Sequence, residues 1–266
     1  AFANACRHKG SIVTGAEAVR ADPSGVVRFA DGREIECDLV IAADGVNSRL
    51  RDALGLLKSR RTTGDGAIRV MIARTDEERR SEDGQKFVEY WSGTRRVLYT
   101  PCDDAEVYLA LTCANDDPAR NLPLDVAAWT ASFPHLASLF GRIEGGRWDP
   151  FVVIRLTRWS KGKVAILGDA AHATAPNLGQ GGGCAMMSAM SLAHYLERHR
   201  AMDDALLEWE TRERPLVEHT QRISSLLSAV TFWPESLRST FFSVSGQSRW
   251  FTGQRLRTAR HVPTGL

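Results

Sequence analysis

The 266-residue chain has no uninterrupted apolar run approaching the roughly 20 residues needed to cross a bilayer; its longest mostly apolar stretches, Asp38–Ala43 and Cys184–Leu196, fall short. A membrane-spanning helix is therefore not expected, nor is a membrane as a partner. It also lacks a large charge excess: 34 Lys and Arg stand against 32 Asp and Glu, a net +2 with no single basic block, which argues against nucleic acid as a partner. The five cysteines (Cys6, Cys37, Cys102, Cys113, Cys184) form an odd, widely spaced set without a C-x-x-C pair or matching histidines. That argues against a disulfide framework and a structural zinc site, and points to a reducing, cytoplasmic setting. The chain opens on Ala1 with no charged segment before an apolar one, so a signal peptide is not expected, and the sequence reads as starting in mid-protein. What remains, 43% apolar and 25% charged residues, is the composition of a globular protein.

Short runs at Ser11–Thr14, Ala16–Ala21 and Val26–Phe29 predict strands, broken by Pro23-Ser24-Gly25 and by Asp31-Gly32, a type I′ hairpin signal returning through Arg33–Cys37. Leu39–Ala43 reads as a strand buried on both faces, ending at Asp44-Gly45, where open α/β sheets place ligands. From Ala67 to Leu156 longer alternating runs and a helical piece, Leu124–Phe140, predict an antiparallel sheet inserted as a second lobe. Lys163–Leu167 is then another buried strand, Gly168–Gly183 a glycine-rich loop and Cys184–Arg200 a helix. A further helix follows, capped by Asp203 or Asp204 and kinked at Pro215; after Phe232 only a mixed aromatic tail is legible. The expected fold is α/β, with residues 1–65 and 157–231 in one lobe, 66–156 in the inserted lobe and 232–266 as a tail.

The richest segment runs from Gly162 to Cys184. A strand delivers Asp169 just after Gly168; a loop with Pro176, Gly179, Gln180, Gly181, Gly182 and Gly183 follows, and then a helix begins. Asp169 can accept hydrogen bonds from ribityl or ribose hydroxyls. The glycines let backbone N–H groups approach a ring or phosphate, and the helix start favours a developing anion, a combination suited to a reduced flavin. Any three of these residues would read as an ordinary turn, but a flexible linker would not sit between a buried strand and an apolar helix. His172 reads as a structural residue rather than a proton shuttle, and Cys184 as packing rather than a low-pKa thiol.

Two motifs in this order resemble those of the FAD-dependent aromatic hydroxylases, the single-component (group A) flavoprotein monooxygenases. Asp38–Arg51 is similar to their Asp-Gly motif and Gly162–Gly183 to their Gly-Asp motif. The resemblance covers about Gly10 to Ser225. Gly181–Leu192 and Trp209–Pro215 resemble, more weakly, the methylhydroxypyridinecarboxylate oxygenase branch, although Gly183 stands where many members have Asn and Ser188 where many have Asp. The family's opening G-x-G-x-x-G unit is absent from the sequence. The resemblance thus implies an incomplete Rossmann-type FAD-binding lobe with an inserted antiparallel substrate lobe. It further implies that Asp169 holds the ribityl chain and that Pro176–Gly183 line the isoalloxazine. Asp44, Gly45 and Arg51 would help hold the pyrophosphate and productive NAD(P)H binding.

With FAD and NAD(P)H as cofactors, the implied reaction adds O₂ to the reduced flavin and transfers one oxygen from a C4a-hydroperoxide to a small aromatic substrate; epoxidation, ring opening and dehydrogenation are variants. Substrate contacts are expected on the inserted sheet at Arg96, which could pair a carboxylate, Tyr99, which could donate to a ring oxygen, and Pro101. The rival reading is a truncated, non-catalytic relative or a half-enzyme needing a complementing FAD-binding chain; a homodimer is the other expected assembly.

Overall fold

A computed structural model describes residues 12–265. Its strands build three sheets. In the first, β1 (Ala18–Ala21), β2 (Val26–Phe29) and β3 (Glu34–Glu36) pair antiparallel in chain order. The β2–β3 connection is not the expected type I′ turn, because Asp31 keeps a negative φ while Gly32 takes φ +86°. Gly32 N–H donates to the Phe29 carbonyl and Phe29 N–H to the Arg33 carbonyl, the three-residue loop with glycine at its left-handed position. Over the described part of the expected first strand, 12–14, no strand forms; Ile12 and Val13 are exposed, and Ser11 lies outside the described residues.

The second sheet carries the parallel pair. β4 (Val40–Ala42) aligns with β11 (Val164–Ile166) residue for residue, Val40 opposite Val164 and Ala42 opposite Ile166, and β10 (Ser160–Lys161) closes the far side of β11. All three residues of β11 are buried, as a continuous apolar run in a parallel sheet requires. Asp44 and Asp169 consequently leave the sheet at the same, carboxyl end.

Between these strands the third sheet is inserted, five antiparallel strands in the order β6-β7-β8-β5-β9. Its members are β5 (Leu57–Ala73), β6 (Val88–Ser92), β7 (Arg95–Pro101), β8 (Glu106–Ala114) and β9 (Arg147–Leu156). β5 and β9 are long enough to serve both lobes: Leu56, just before β5, and Ile154 and Leu156 of β9 join the core around β4 and β11, whereas Ile68 of β5 packs with Val97, Leu109, Trp129 and Phe140 in the core of the inserted lobe. The β5–β9 register shifts between Thr62 and Gly66; a Cβ at Gly66 would stand 2.6 Å from the Asp149 carbonyl oxygen, so only glycine admits this approach of the two backbones.

The helices are α1 (Arg49–Ala53), α2 (Asp76–Arg80), α3 (Val126–Ser132), α4 (Ala137–Phe140), α5 (Asp169–His172), α6 (Gly181–Arg198), α7 (Met202–Val230), α8 (Glu235–Gln247) and α9 (Arg249–Leu256). The helical piece expected over 124–140 divides because Phe133, before Pro134, is driven out of the helical region to φ −136°, ψ 72°. α7 starts with Ala201 at its cap rather than Asp203 or Asp204, which instead occupy the first turn where their charge favours the helix dipole, and it runs through Pro215 without interruption. Residues 235–256 form two helices where the sequence shows only an aromatic tail. α8 fully buries only Arg238 and Ser245.

Candidate functional site: a cleft between the Gly-Asp loop and the inserted sheet

The two motifs are physically joined by one side chain. Asp44 follows β4, and Gly45 turns the chain with φ +82°. The first turn of α1 is then capped twice, by Ser48 Oγ accepting from Arg51 N–H at 3.0 Å and by Asp44 Oδ2 accepting from Leu50 N–H at 3.4 Å. Arg51 is fully enclosed. Its Nη1 donates to the Val46 carbonyl and to the Ala170 carbonyl, both at 3.1 Å, and its Nε to Asp52 at 2.8 Å. It therefore clamps the loop after β4 to the helix after β11 and does not face solvent, while Nη2 is buried without a partner among the described residues.

Gly168 takes φ +63° and ψ −143°, a conformation open only to glycine, and this aims Asp169 out of the strand at the start of α5. The Asp169 side chain is exposed and makes no hydrogen bond or ion pair among the described residues. Beyond α5, Pro176–Leu178 form one 3₁₀ turn, Gly179 reverses the chain with φ +65°, and α6 begins at Gly181 with Gln180 as its cap. Gln180 is half-buried and tied to α9, its Nε2 donating to the Arg255 carbonyl at 2.8 Å. A Cβ placed at Gly179, Gly182 or Gly183 would meet nothing within 4 Å. The backbone there faces open space rather than protein.

That space is a cleft of about 560 Å³. Asp169, Thr174, Pro176, Gly179, Gly181 and Gly182 form one wall; Val46 and Asn47 stand at one end; Arg60, Arg69, Arg147, Asp149, Phe151 and Val152 of β5 and β9 form the other wall. The basic wall is ordered: Asp149 accepts from Arg69 at 3.3 Å and from Arg147 at 2.8 Å, Arg60 donates to Asn47 at 2.8 Å, and Arg69 lies over the Phe151 ring at 5.6 Å. Thr174 Oγ1 is buried on the opposite, loop wall and has no partner among the described residues. A free carboxylate, glycines with room above them, an orphaned hydroxyl and three arginines fit a polyol-linked, electron-poor ring with phosphates, which is what FAD presents.

The substrate residues expected on β7 are separated by the pleat. Arg96 faces the flavin-loop side: it is 5% exposed, donates from Nη2 to Asp65 at 2.8 Å and from Nη1 to Asn177 Oδ1 at 2.9 Å, and lies over the Trp91 ring at 5.0 Å. Its Nε is buried and unpartnered among the described residues. Tyr99 points to the opposite face with Val97, into the core that packs against α3 and α4, and Pro101 follows on the same side. The structure thus brings Arg96 to the loop and does not bring Tyr99 or Pro101 there. Burial pushes the Tyr99 hydroxyl above its ordinary range.

Arg96 also borders a second chamber of about 200 Å³, with Glu89, Trp91, Asn177, Leu227, Phe242 and Phe251 among its walls. Sequence reasoning missed Asp65, Asn177, Thr174, Arg60, Arg69 and Asp149. For Arg69 a signal existed, since it follows Ala67 at a period of two on the face of β5 that turns to the cleft; for Asp65, an isolated acid beside two glycines, none did.

His172 lies away from the cleft. It is 4% exposed and packed against Trp159 with ring centroids 5.1 Å apart, Trp159 in turn meeting Trp209. Burial lowers its pKa from the ordinary 6.5 to about 4. The unfolded chain therefore binds a proton between these values that the folded chain refuses, so stability is complete above about pH 6.5 and falls as pH drops toward 4. At 1.36 kcal/mol per unit the loss is about 3 kcal/mol. We expect the unfolding free energy from urea titrations to fall by that much more between pH 7 and pH 4 in the wild type than in His172→Phe. Cys184 is buried too, with its thiol pushed up by desolvation, in agreement with a packing role.

Comparison with known proteins places this geometry. A family model described as an FAD binding domain matches residues 8–223. The AqdB1 protein of Rhodococcus erythropolis is 44% identical over 96% of this chain and 67% of its own length. A 2-heptyl-3-hydroxy-4(1H)-quinolone synthase of Mycobacteroides abscessus is 43% identical over 92% of this chain and 67% of its own. Among solved structures, 2-methyl-3-hydroxypyridine-5-carboxylic acid oxygenase superposes with a TM-score of 0.86 at 35% identity, covering 98% of this chain and 70% of that one.

Proposed function

Because the chain belongs to the FAD-dependent aromatic hydroxylase family, we propose that it forms the flavin- and substrate-facing part of a monooxygenase acting on a small, oxygen-bearing N-heteroaromatic ring, with NAD(P)H as reductant. The observation that carries this reading is the cleft itself, a free carboxylate and uncovered glycine backbone facing an arginine-lined sheet. Asp169 would hold ribityl hydroxyls, Thr174 Oγ1 and the N–H groups of Gly181–Gly183 would meet the ring's electron-rich edge, and Arg60 with Asn47 would stand toward the phosphates. Bound and reduced, FAD supplies the oxygen activation.

The chain's own residues position and enclose. Arg96, fixed by Asp65 and tied to Asn177 of the loop, sets a positive charge at the edge of the second chamber, while Trp91, Phe242 and Phe251 provide flat apolar walls that exclude water. The names of the relatives favour a quinolone or hydroxypyridine ring; four free cysteines among the described residues suit a reducing, cytoplasmic setting. No helix of the described residues is long and apolar enough to cross a membrane.

One observation favours a complementing segment. Among the described residues β4 ends its sheet, and Ile41 at its centre is 49% exposed, so a further parallel strand can pair there. The reaction is tested by supplying the FAD-reconstituted protein with NAD(P)H, ¹⁸O₂ and either a 2-alkyl-4-quinolone or 2-methyl-3-hydroxypyridine-5-carboxylate. The expected product carries ¹⁸O from dioxygen with matching consumption of NAD(P)H; label-free product, or NAD(P)H oxidation without any oxygenated product from either ring, contradicts the proposal.

A further inference from the structure

Arg51 belongs to the first motif, yet the folded chain keeps its guanidinium out of the cleft. The side chain has no solvent-accessible surface, and Arg51 is not among the residues that line the cleft. Arg60 differs on both counts. It is exposed, lines the cleft and donates from Nη1 to the same Val46 carbonyl that Arg51 holds, at 3.3 Å against 3.1 Å. The arginine that can reach a phosphate in the cleft is therefore Arg60, which leaves Arg51 needing another explanation.

What Arg51 holds is backbone next to Asp169. In the single turn of α5, Ala171 and His172 N–H both donate to the Gly168 carbonyl and Ala173 N–H to the Asp169 carbonyl, while no backbone N–H reaches the Ala170 carbonyl among the described residues. Helix ends leave such acceptors open, and here Arg51 Nη1 supplies the missing donor at 3.1 Å. A helix of four residues has no stability of its own, so the direction in which Asp169 leaves it depends on what fixes its backbone. Gly168 sets the entry, Gln221 Nε2 ties the exit by donating to the Ala173 carbonyl at 3.0 Å, and Arg51 fixes the residue adjoining Asp169.

We propose that Arg51 is a positioning residue for flavin binding, which touches no part of the cofactor and acts through the Ala170 carbonyl to fix the direction in which Asp169 enters the cleft. The inference rests on the reading that Asp169 holds the ribityl chain. It moves Arg51 from the pyrophosphate and NAD(P)H, where the resemblance puts it, to the ribityl end of the site. The two motifs then form one device, the first supporting the carboxylate that the second presents.

A double-mutant cycle on the FAD dissociation constant, read by flavin fluorescence in proteins whose fold is checked by circular dichroism, tests this. Arg51→Met is expected to weaken FAD binding by about five-fold or more in the wild-type background and by less than about two-fold in Asp169→Ala, because a residue acting through Asp169 has nothing left to act on. Arg51→Lys keeps the charge without the planar fork, so it should fall between the wild type and Arg51→Met and show the same loss of effect in Asp169→Ala; if Arg51→Met does not fold, this cycle decides. Effects that multiply across the two sites would show that Arg51 acts on FAD independently of Asp169 and overturn the inference alone, as would a folded Arg51 variant that binds FAD like the wild type. A folded wild type that binds no FAD, or an Asp169→Ala protein that binds it like the wild type, would overturn the reading of the cleft and the inference with it.

Discussion

Replacing Asp169 by alanine is expected to weaken FAD binding by about 10- to 100-fold while leaving the fold intact. Asp169 sits at the carboxyl end of β11, is turned outward by the glycine-only conformation of Gly168, and has no protein partner among the described residues, so its removal leaves nothing unsatisfied in the free protein. A hydrogen bond to a charged group contributes about 1.5–3 kcal/mol, and each 1.4 kcal/mol is ten-fold in affinity. The loss should appear in the dissociation constant from flavin fluorescence, with an unchanged thermal midpoint. Asp169→Asn, which retains an acceptor without the charge, should fall between the two. A variant that binds FAD like the wild type would remove Asp169 from the site.

The second large effect concerns stability. Asp65 is fully buried at the register shift of β5 and joins three elements: it accepts from Arg96 of β7 at 2.8 Å, from Thr63 at 2.8 Å and from Ser228 of α7 at 3.1 Å. In Asp65→Ala the Arg96 guanidinium, itself 5% exposed, keeps its charge and loses its buried counter-ion; Glu89 at 3.5 Å is half-exposed and a poor substitute. Breaking a buried pair from one side costs about 3–5 kcal/mol, which should lower the melting temperature by on the order of 10 °C. Removing both charges together, in Asp65→Leu/Arg96→Met, should restore much of the stability, because an apolar pair carries no desolvation penalty. A double variant as unstable as the single would show that the network is held by geometry other than this ion pair. Since Arg96 also donates to Asn177, both variants should loosen the flavin loop even where the protein remains folded.

The parallel strands were legible because β4 and β11 are short apolar runs ending in acidic residues, and the inserted sheet because its strands alternate. What escaped was whatever depends on tertiary approach. The first expected strand had a β-like composition but finds no partner over 12–14, and α8 lies where only an aromatic tail was legible, with Leu237, Phe242 and Val244 left exposed. In the site, the glycines and Asp169 could be read from one continuous segment, whereas the opposite wall draws Arg60, Arg69 and Asp149 from two strands whose meeting is set by sheet order. Tyr99 was placed with Arg96 by proximity in sequence; an odd separation along β7 sends the two side chains to opposite faces. Arg51 shows the same limit in another form, since its position in a recognisable motif did not reveal that it turns inward to hold Val46 and Ala170.

The central claim is that the cleft between the Gly-Asp loop and the inserted sheet holds the flavin. It is tested most directly by titrating the protein with FAD alongside Gly182→Leu, whose side chain would enter the space now open above the loop. The account predicts one FAD per wild-type chain, with quenched fluorescence and a visible spectrum that survives desalting, and loss of that retention in the folded variant. Equal retention by the two proteins, or none by a folded wild type, would contradict it.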